Sequence, residues 1–119
     1  MNKVALGKKG EEIAVRFLKN KGYKIIETNF RIRGGEIDIV ALDGQTVVYV
    51  EVKTRTNQRY GLPEESVTPW KLNFLKRAAK FYRNNRKHLS LPLLERIDVV
   101  AVDLSTPAPE VRLIKNASF

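Results

Sequence analysis

The chain has no cysteine, which excludes disulfides and thiolate metal sites. Its one histidine, His88, closes the charged run "YRNNRKH", where a solvated surface position is the simplest reading. Histidine catalysis and a histidine-based zinc site are therefore not expected. No stretch approaches the roughly 18–20 consecutive apolar residues of a membrane span. The segment "MNKVALGKKGEEIAVRF" lacks the uninterrupted apolar run of a signal peptide, so the expected location is cytoplasmic, with no membrane partner. Linkers, internal repeats and low-complexity segments are missing too. The 119 residues therefore read as a single domain, 1–119, with a single core.

Positive charge is what the chain has in excess. Twenty-two Lys and Arg stand against 13 Asp and Glu, a formal net charge of +9. Such an excess points to a polyanionic partner, most often nucleic acid. Docking on an acidic protein is the alternative.

Apolar periodicity predicts a helix over about Lys3–Lys21, with Leu6, Ile13, Ala14, Phe17 and Leu18 on one side and Gly22 as its stop. A strand follows over Tyr23–Phe30, then a basic loop with Arg31, Arg33 and the pair Gly34–Gly35. Two β-rich runs, Glu36–Leu42 and Thr46–Lys53, flank the hairpin signal Asp43–Gly44. Residues 54–67 form a loop. Thr68 caps a second helix, with Pro69 in its first position, running to about Lys87. Strands are predicted over Arg96–Asp103 and Glu110–Lys115. This order, α-β-β-β-α-β-β, predicts an α/β fold with a mixed sheet flanked by helices.

The hairpin "GGEIDIVALDGQTVVYVEVKTR" carries acids and a lysine where a sheet prefers apolar residues. Alternation places Glu36 and Asp38 on one face and Ile37, Ile39 and Ala41 on the other. In the same way Glu51, Lys53 and Arg55 oppose Val48, Val50 and Val52. With Asp43–Gly44 as the loop, Leu42 pairs with Gln45, Glu36 lies opposite Glu51 and Asp38 is diagonal to it. A four-residue loop keeps the same faces, whereas a three-residue loop would separate Asp38 from Glu51. Carboxylates gathered in this way repel one another, which points to a bound cation. Oxygen-only donors select Mg²⁺ or Mn²⁺. Lys53 adds a positive charge that could hold an attacking water or stabilise charge on a phosphate. An exposed strand face with cross-strand ion pairs is the alternative.

Two acids on the first helix could complete the group. At about 100° per residue the apolar arc spans roughly 140°, with Glu11 about 20° beyond one edge and Glu12 about 100° beyond the other. Only Glu11 borders the surface packed on the sheet. A salt bridge along the helix face is its alternative use.

A helix acid, then Asp38, then "EVK" at Glu51–Lys53 resembles the PD-(D/E)xK nuclease superfamily. More closely, "GEIDIVALDG", "VEVKTR", "YGLPEESVTPWK" and "RIDVVAVD" resemble the YraN-like family, itself similar to archaeal Holliday-junction resolvases. The resemblance covers nearly the whole chain. It implies a restriction-endonuclease-like α-β-β-β-α-β core, metal binding by Asp38 and Glu51 with the backbone carbonyl of Val52 as an extra ligand, and Lys53 as the catalytic lysine. Glu11 takes the helix-acid position as a further candidate ligand. Glu36 matches the YraN-like motif but has no fixed role in the wider superfamily.

Arg31 and Arg33 before the site, Arg55, Arg59 and Tyr60 after it, and Lys71 on the second helix are candidate DNA contacts. Lys76, Arg77, Lys80, Arg83, Arg86 and Lys87 form either a second basic patch or the solvent side of that helix. Trp70 and Phe74 are expected in helix packing or a dimer contact, with stacking on an unpaired base as their other use. The expected function is thus a Mg²⁺-dependent DNA endonuclease, acting on branched or junction DNA by analogy. Two symmetric cuts would need a homodimer. The alternative is a DNA-binding protein of nuclease-like fold without turnover.

Overall fold

The computed structural model describes residues 2–57, 59 and 61–117. Helix α1 spans Lys3–Asn20, followed by strands β1 (Lys24–Ile32), β2 (Gly35–Asp43) and β3 (Thr46–Arg55). Helix α2 (Pro69–Asn85), β4 (Leu94–Asp103) and β5 (Glu110–Ile114) complete the order, with short 3₁₀ turns at Pro63–Ser66 and Lys87–Leu89. The sheet runs β1-β2-β3-β4-β5, antiparallel except where β3 and β4 lie parallel, so it is mixed as expected.

Both helices begin where local chemistry starts them. The Ala5 N–H donates to the Asn2 side chain at 2.8 Å, and the Lys71 N–H donates to Thr68 Oγ1 at 3.2 Å, with Pro69 in the first turn. Gly22, at φ 92°, lies just beyond the end of α1, in a conformation that costs glycine little. Helix α2 stops at Asn85, two residues short of the expected end. Arg86 leaves helical geometry, and its guanidinium donates twice to Glu27, at 2.9 and 3.1 Å.

The sheet lies between two apolar cores, one beneath each helix. Gly10, Ala14 and Leu18, four residues apart, form the buried side of α1. Ala14 and Leu18 pack with Ile39, Ala41, Val48, Val50, Val100 and Val102. Phe74, Leu75, Ala78, Ala79 and Tyr82 of α2 pack with Phe30, Ile37, Val40, Val47, Tyr49 and Ile97. Strands β3 and β4 are covered on both faces, which explains their nearly continuous apolar runs.

The hairpin differs from expectation in two respects. Asp43 pairs with Thr46, so the turn is Gly44–Gln45 and the register is displaced by two residues. A displacement by two preserves faces. Extended past Ile39↔Val50, this register sets Asp38 opposite Glu51 and Glu36 opposite Lys53. Second, strict alternation fails at Asp38: Ile37 joins the core under α2, whereas Ile39 and Ala41 join the core under α1. The paired strand shows why. Thr28↔Ile39 and Phe30↔Ile37 bracket Asn29, whose φ is 55°, so both strands turn over together at this point. Arg31, expected in a loop, accordingly lies within β1.

Buried charge toward the hairpin end of the sheet is satisfied. Asp98 is fully buried and accepts hydrogen bonds from Arg96 at 2.9 and 3.1 Å, from the Tyr23 hydroxyl at 3.1 Å and from the Asn116 N–H at 3.0 Å.

Gly10 sets how closely α1 lies on β3. A Cβ there would overlap the Thr54 hydroxyl and sit 3.0 Å from Thr54 Cβ. Gly10→Ala should therefore lower stability. Overpacking costs about 1–3 kcal/mol, against about 1 kcal/mol gained in helix propensity. Urea unfolding midpoints would show the loss, and Thr54→Ala should restore part of it. An unchanged or raised midpoint in the single variant would refute the close approach.

Candidate functional site

Each polar group of the site is placed by the packing just described. Gly10 brings α1 against β3, so the next residue, Glu11, hangs over the sheet edge, while Glu12 points to solvent. Glu36 and Asp38 come from β2, and Glu51 and Lys53 from β3. Lys71 descends from the first turn of α2. All six line one cleft of about 770 Å³, together with Gly35, Val52, Thr54, Arg55, Thr56 and Asn57.

The cleft opens where the β2–β3 ladder ends. Backbone pairing stops at Ile39↔Val50. Two residues on, the Val52 N–H donates to Asp38 Oδ2 at 2.8 Å instead of to a carbonyl of β2. A strand residue presents its N–H and C=O along the same edge, so the Val52 carbonyl also opens on this gap.

Electrostatically the site divides into two halves. Glu11, Glu36 and Asp38 each present a carboxylate oxygen within 4.8 Å of the other two, a spacing that could hold a metal ion. Asn29 steadies this trio, its side-chain amide donating to Glu11 Oε1 at 2.7 Å and to Glu36 Oε1 at 3.4 Å. Glu51 stands outside the trio and is 3% exposed. Both Lys53 Nζ and Lys71 Nζ approach its Oε2, at 3.5 and 3.7 Å. Its other oxygen, Oε1, is buried and receives no hydrogen bond from an N–H or hydroxyl of the described residues, while the neighbouring Asp38 carboxyl hydrogen-bonds the Glu51 side chain. A buried carboxylate oxygen without a donor is costly, and a hard cation is what oxygen donors of this kind accept. The residues present thus fit a divalent ion, with Glu11, Glu36, Asp38 and Glu51 as its available carboxylates.

Burial is the main reason the Asp38 carboxyl is pushed up to about 8, with repulsion from Glu51 second and Glu11 adding to it, against the Val52 N–H. Glu11 is also raised, by burial first and then by Glu36 and Glu51, with the Asn29 hydrogen bond opposing.

The structure locates the remaining sequence candidates as follows. Lys71, expected to flank the site, reaches its interior. Arg55 lines the cleft, its Nη1 donating to the Thr54 carbonyl at 3.4 Å. Arg31 is 83% exposed and pairs with Glu36 at 3.4 Å. Arg33 and Arg59 are exposed. Tyr60 lies outside the described residues. In the second basic group, Arg83 is engaged by Glu95 at 2.8 Å and Arg86 by Glu27, so these two hold α2 to the sheet and are not available as one free patch. His88 is exposed, as expected. Asn29 was not foreseen. Its signal was the "TN" within a β-rich run, because asparagine tolerates the left-handed conformation that β-branched residues resist.

Comparison with known proteins agrees with the sequence resemblance at the level of family. Residues 10–102 match the family described as "Uncharacterised protein family UPF0102". The chain belongs to the UPF0102 family. A UPF0102 protein of Dehalococcoides mccartyi is 47% identical over 116 residues, covering 98% of this chain and 94% of that protein. UPF0102 proteins of Geobacter metallireducens and Caldicellulosiruptor saccharolyticus are 46% and 44% identical, covering 95% and 98% of this chain and 91% and 99% of their own lengths. The matched region includes Glu11, Glu36, Asp38, Glu51, Lys53 and Lys71 of the UPF0102 cleft.

The raised Asp38 carboxyl has a consequence for stability. Between about 4 and about 8 the folded chain holds a proton that the unfolded chain has released, so unfolding becomes easier as pH rises through this window. In the presence of chelator, the melting temperature of the wild type should therefore fall across that range through the Asp38 contribution. Asp38→Asn should flatten the slope and be more stable than wild type at pH 8. Parallel thermal melts at pH 5 and pH 8 test this, and identical slopes would show that Asp38 is not perturbed.

Proposed function

We propose that the cleft is the active site of a divalent-metal-dependent DNA endonuclease with a PD-(D/E)xK-type core. The observation that carries this reading is the pairing of buried Asp38 and Glu51 across the opened end of β2 and β3, with two lysines on one Glu51 oxygen. The order α1-β1-β2-β3-α2-β4 supports it, because it places a helix acid, a strand aspartate and Glu51–Val52–Lys53 on the elements that superfamily would use. The net charge of +9 supports a phosphodiester backbone as partner.

Asp38, Glu51 and the Val52 carbonyl would hold Mg²⁺ or Mn²⁺, with Glu11 and Glu36 completing the cradle. When bound, the ion supplies Lewis-acid charge at the phosphate and acidifies a water. Lys53 orients the attacking water from the β3 side and places positive charge where the phosphate gains negative charge. Lys71, on the α2 side of the same Glu51 oxygen, would place its positive charge against the phosphate backbone. Asn29 keeps Glu11 and Glu36 from turning away from each other. Arg31, Arg33, Arg55 and Arg59 contact flanking phosphates. Attack in line with the leaving 3′ oxygen yields a 5′-phosphate. Branched or junction DNA is the preferred substrate, and paired cuts on it would need two copies of the chain.

The test is cleavage of labelled linear, single-stranded, flap and four-way DNA with Mg²⁺, Mn²⁺ or chelator. Wild type should cut only with metal. Glu51→Ala and Asp38→Asn should abolish cutting, and Lys53→Ala should slow it by about 10²–10³-fold, the usual effect of removing one preorganised charge-stabilising group. Salt-sensitive binding without cutting of any form would replace the nuclease with a DNA-binding protein lacking turnover.

A further inference from the structure

Trp70 is the only tryptophan in the chain, and it is 67% exposed. An indole so open, on a helix that buries Phe74 and Tyr82, calls for a use. The structure separates the two aromatic residues of this turn. Phe74 is 4% exposed and belongs to the core, so it has no face for a ligand. Trp70 stacks on it, with ring centroids 6.3 Å apart and planes inclined by 16°, which leaves the outer indole face open.

This pair is continuous with the acidic cleft. Phe74 closes on Gly35 of the cleft wall so tightly that a Cβ there would lie 2.9 Å from its ring. Lys71 Nζ sits 5.1 Å from the Phe74 centroid and 3.7 Å from Glu51. The turn carrying exposed Arg33 also borders Phe74 through Gly34. An aromatic platform with basic residues near it, leading to a group of carboxylates, matches a nucleic-acid strand with one base on the indole and its phosphates on the cations. The unbroken contacts from Glu51 through Lys71 and Phe74 to Trp70 keep the indole within a few nucleotides of the carboxylates. A base inside a duplex has both faces covered by its neighbours and cannot lie on Trp70 without leaving the stack.

We infer that Trp70 is a stacking platform for an unpaired nucleobase a few nucleotides from the scissile phosphate, so that the substrate carries an unpaired position beside the cut. This rests on the nuclease reading for the position of that phosphate. Lys71 holds the backbone between base and acids. Trp70 in this role selects among DNA forms and does not take part in the bond change.

Because Trp70 is the sole tryptophan, its fluorescence reports on the site directly. The full chain would be titrated, with chelator present, against a blunt duplex and the same duplex carrying a short single-stranded gap. Trp70→Ala and Trp70→Phe would be titrated by anisotropy of labelled DNA. Wild type would also be assayed for cutting both DNAs with Mg²⁺. Gapped DNA should quench the emission and duplex should not. Trp70→Ala should weaken gapped-DNA binding by about 5- to 150-fold, the range expected for one stacked base, leave duplex binding unchanged and retain a native circular dichroism spectrum. Trp70→Phe should keep most of the affinity. Gapped DNA bound without quenching, or equal weakening on both DNAs, would overturn the platform. So would a Trp70→Ala variant that only converts a dimer to monomers in sedimentation. If wild type cuts duplex while Trp70 stays silent, the platform fails and the nuclease stands. If quenching and the Trp70→Ala loss occur without any cutting by wild type, the nuclease fails and the platform stands.

Discussion

Where the β2–β3 ladder ends, the Val52 N–H turns from the neighbouring backbone to the Asp38 carboxylate, 2.8 Å away. Much of the site depends on that substitution. A ladder that continued would fill the edge of Val52 with a carbonyl of β2, leaving Asp38 no role in the sheet and no gap for a ligand. Ending it there opens a cleft flanked by two strands and roofed by two helices. It also requires Asp38 to be buried beside Glu51, an arrangement unfavourable for both acids unless positive charge arrives. Lys53 and Lys71 supply part of that charge from within the chain.

The same sheet shows how differently one residue type behaves at its two ends. Asp98 is fully buried, yet four donated hydrogen bonds from Arg96, Tyr23 and Asn116 satisfy it. Asp38 is nearly as buried, takes its hydrogen bond from Val52, and faces other acids. The first arrangement holds the fold together. The second holds the Asp38 carboxyl well above the usual carboxylate range, by burial first and by its acidic neighbours next. Burial alone does not distinguish the two aspartates; the count and sign of their neighbours do.

The element order, the helix cap at Thr68, the apolar face of β3 that carries Val48 and Val50, and the choice of Glu11 over Glu12 were legible in the sequence because each follows from local chemistry or from period. The pairing of strands was legible only modulo two residues: Asp43–Gly44 signalled a tight hairpin, but not whether Asp43 stood inside the turn or at its base. That ambiguity left the faces intact and changed the partner of every acid. The reversal at Asp38 was hidden from a period-two reading, because it depends on the backbone of Asn29 in the adjacent strand. The arrival of Lys71 at Glu51 was hidden too, since it depends on how α2 seats on the sheet. Most of the basic residues were legible as charge but not as function: Arg83 and Arg86 are bound to acids of neighbouring elements, whereas Arg33 and Arg59 are exposed.

Asn29 shows how narrow the choice at one position can become. Its backbone, at φ 55°, favours glycine, asparagine, aspartate or histidine and penalises most other residues. Its side chain must offer donors to Glu11 and Glu36 together. Glycine meets the first demand and offers nothing for the second. Aspartate meets the first and adds a further acid where three already crowd. Geometry and charge, acting independently, leave few amino acids for this position, so the sequence space open to this site is bounded by a residue that neither reads as catalytic nor needs to touch a substrate.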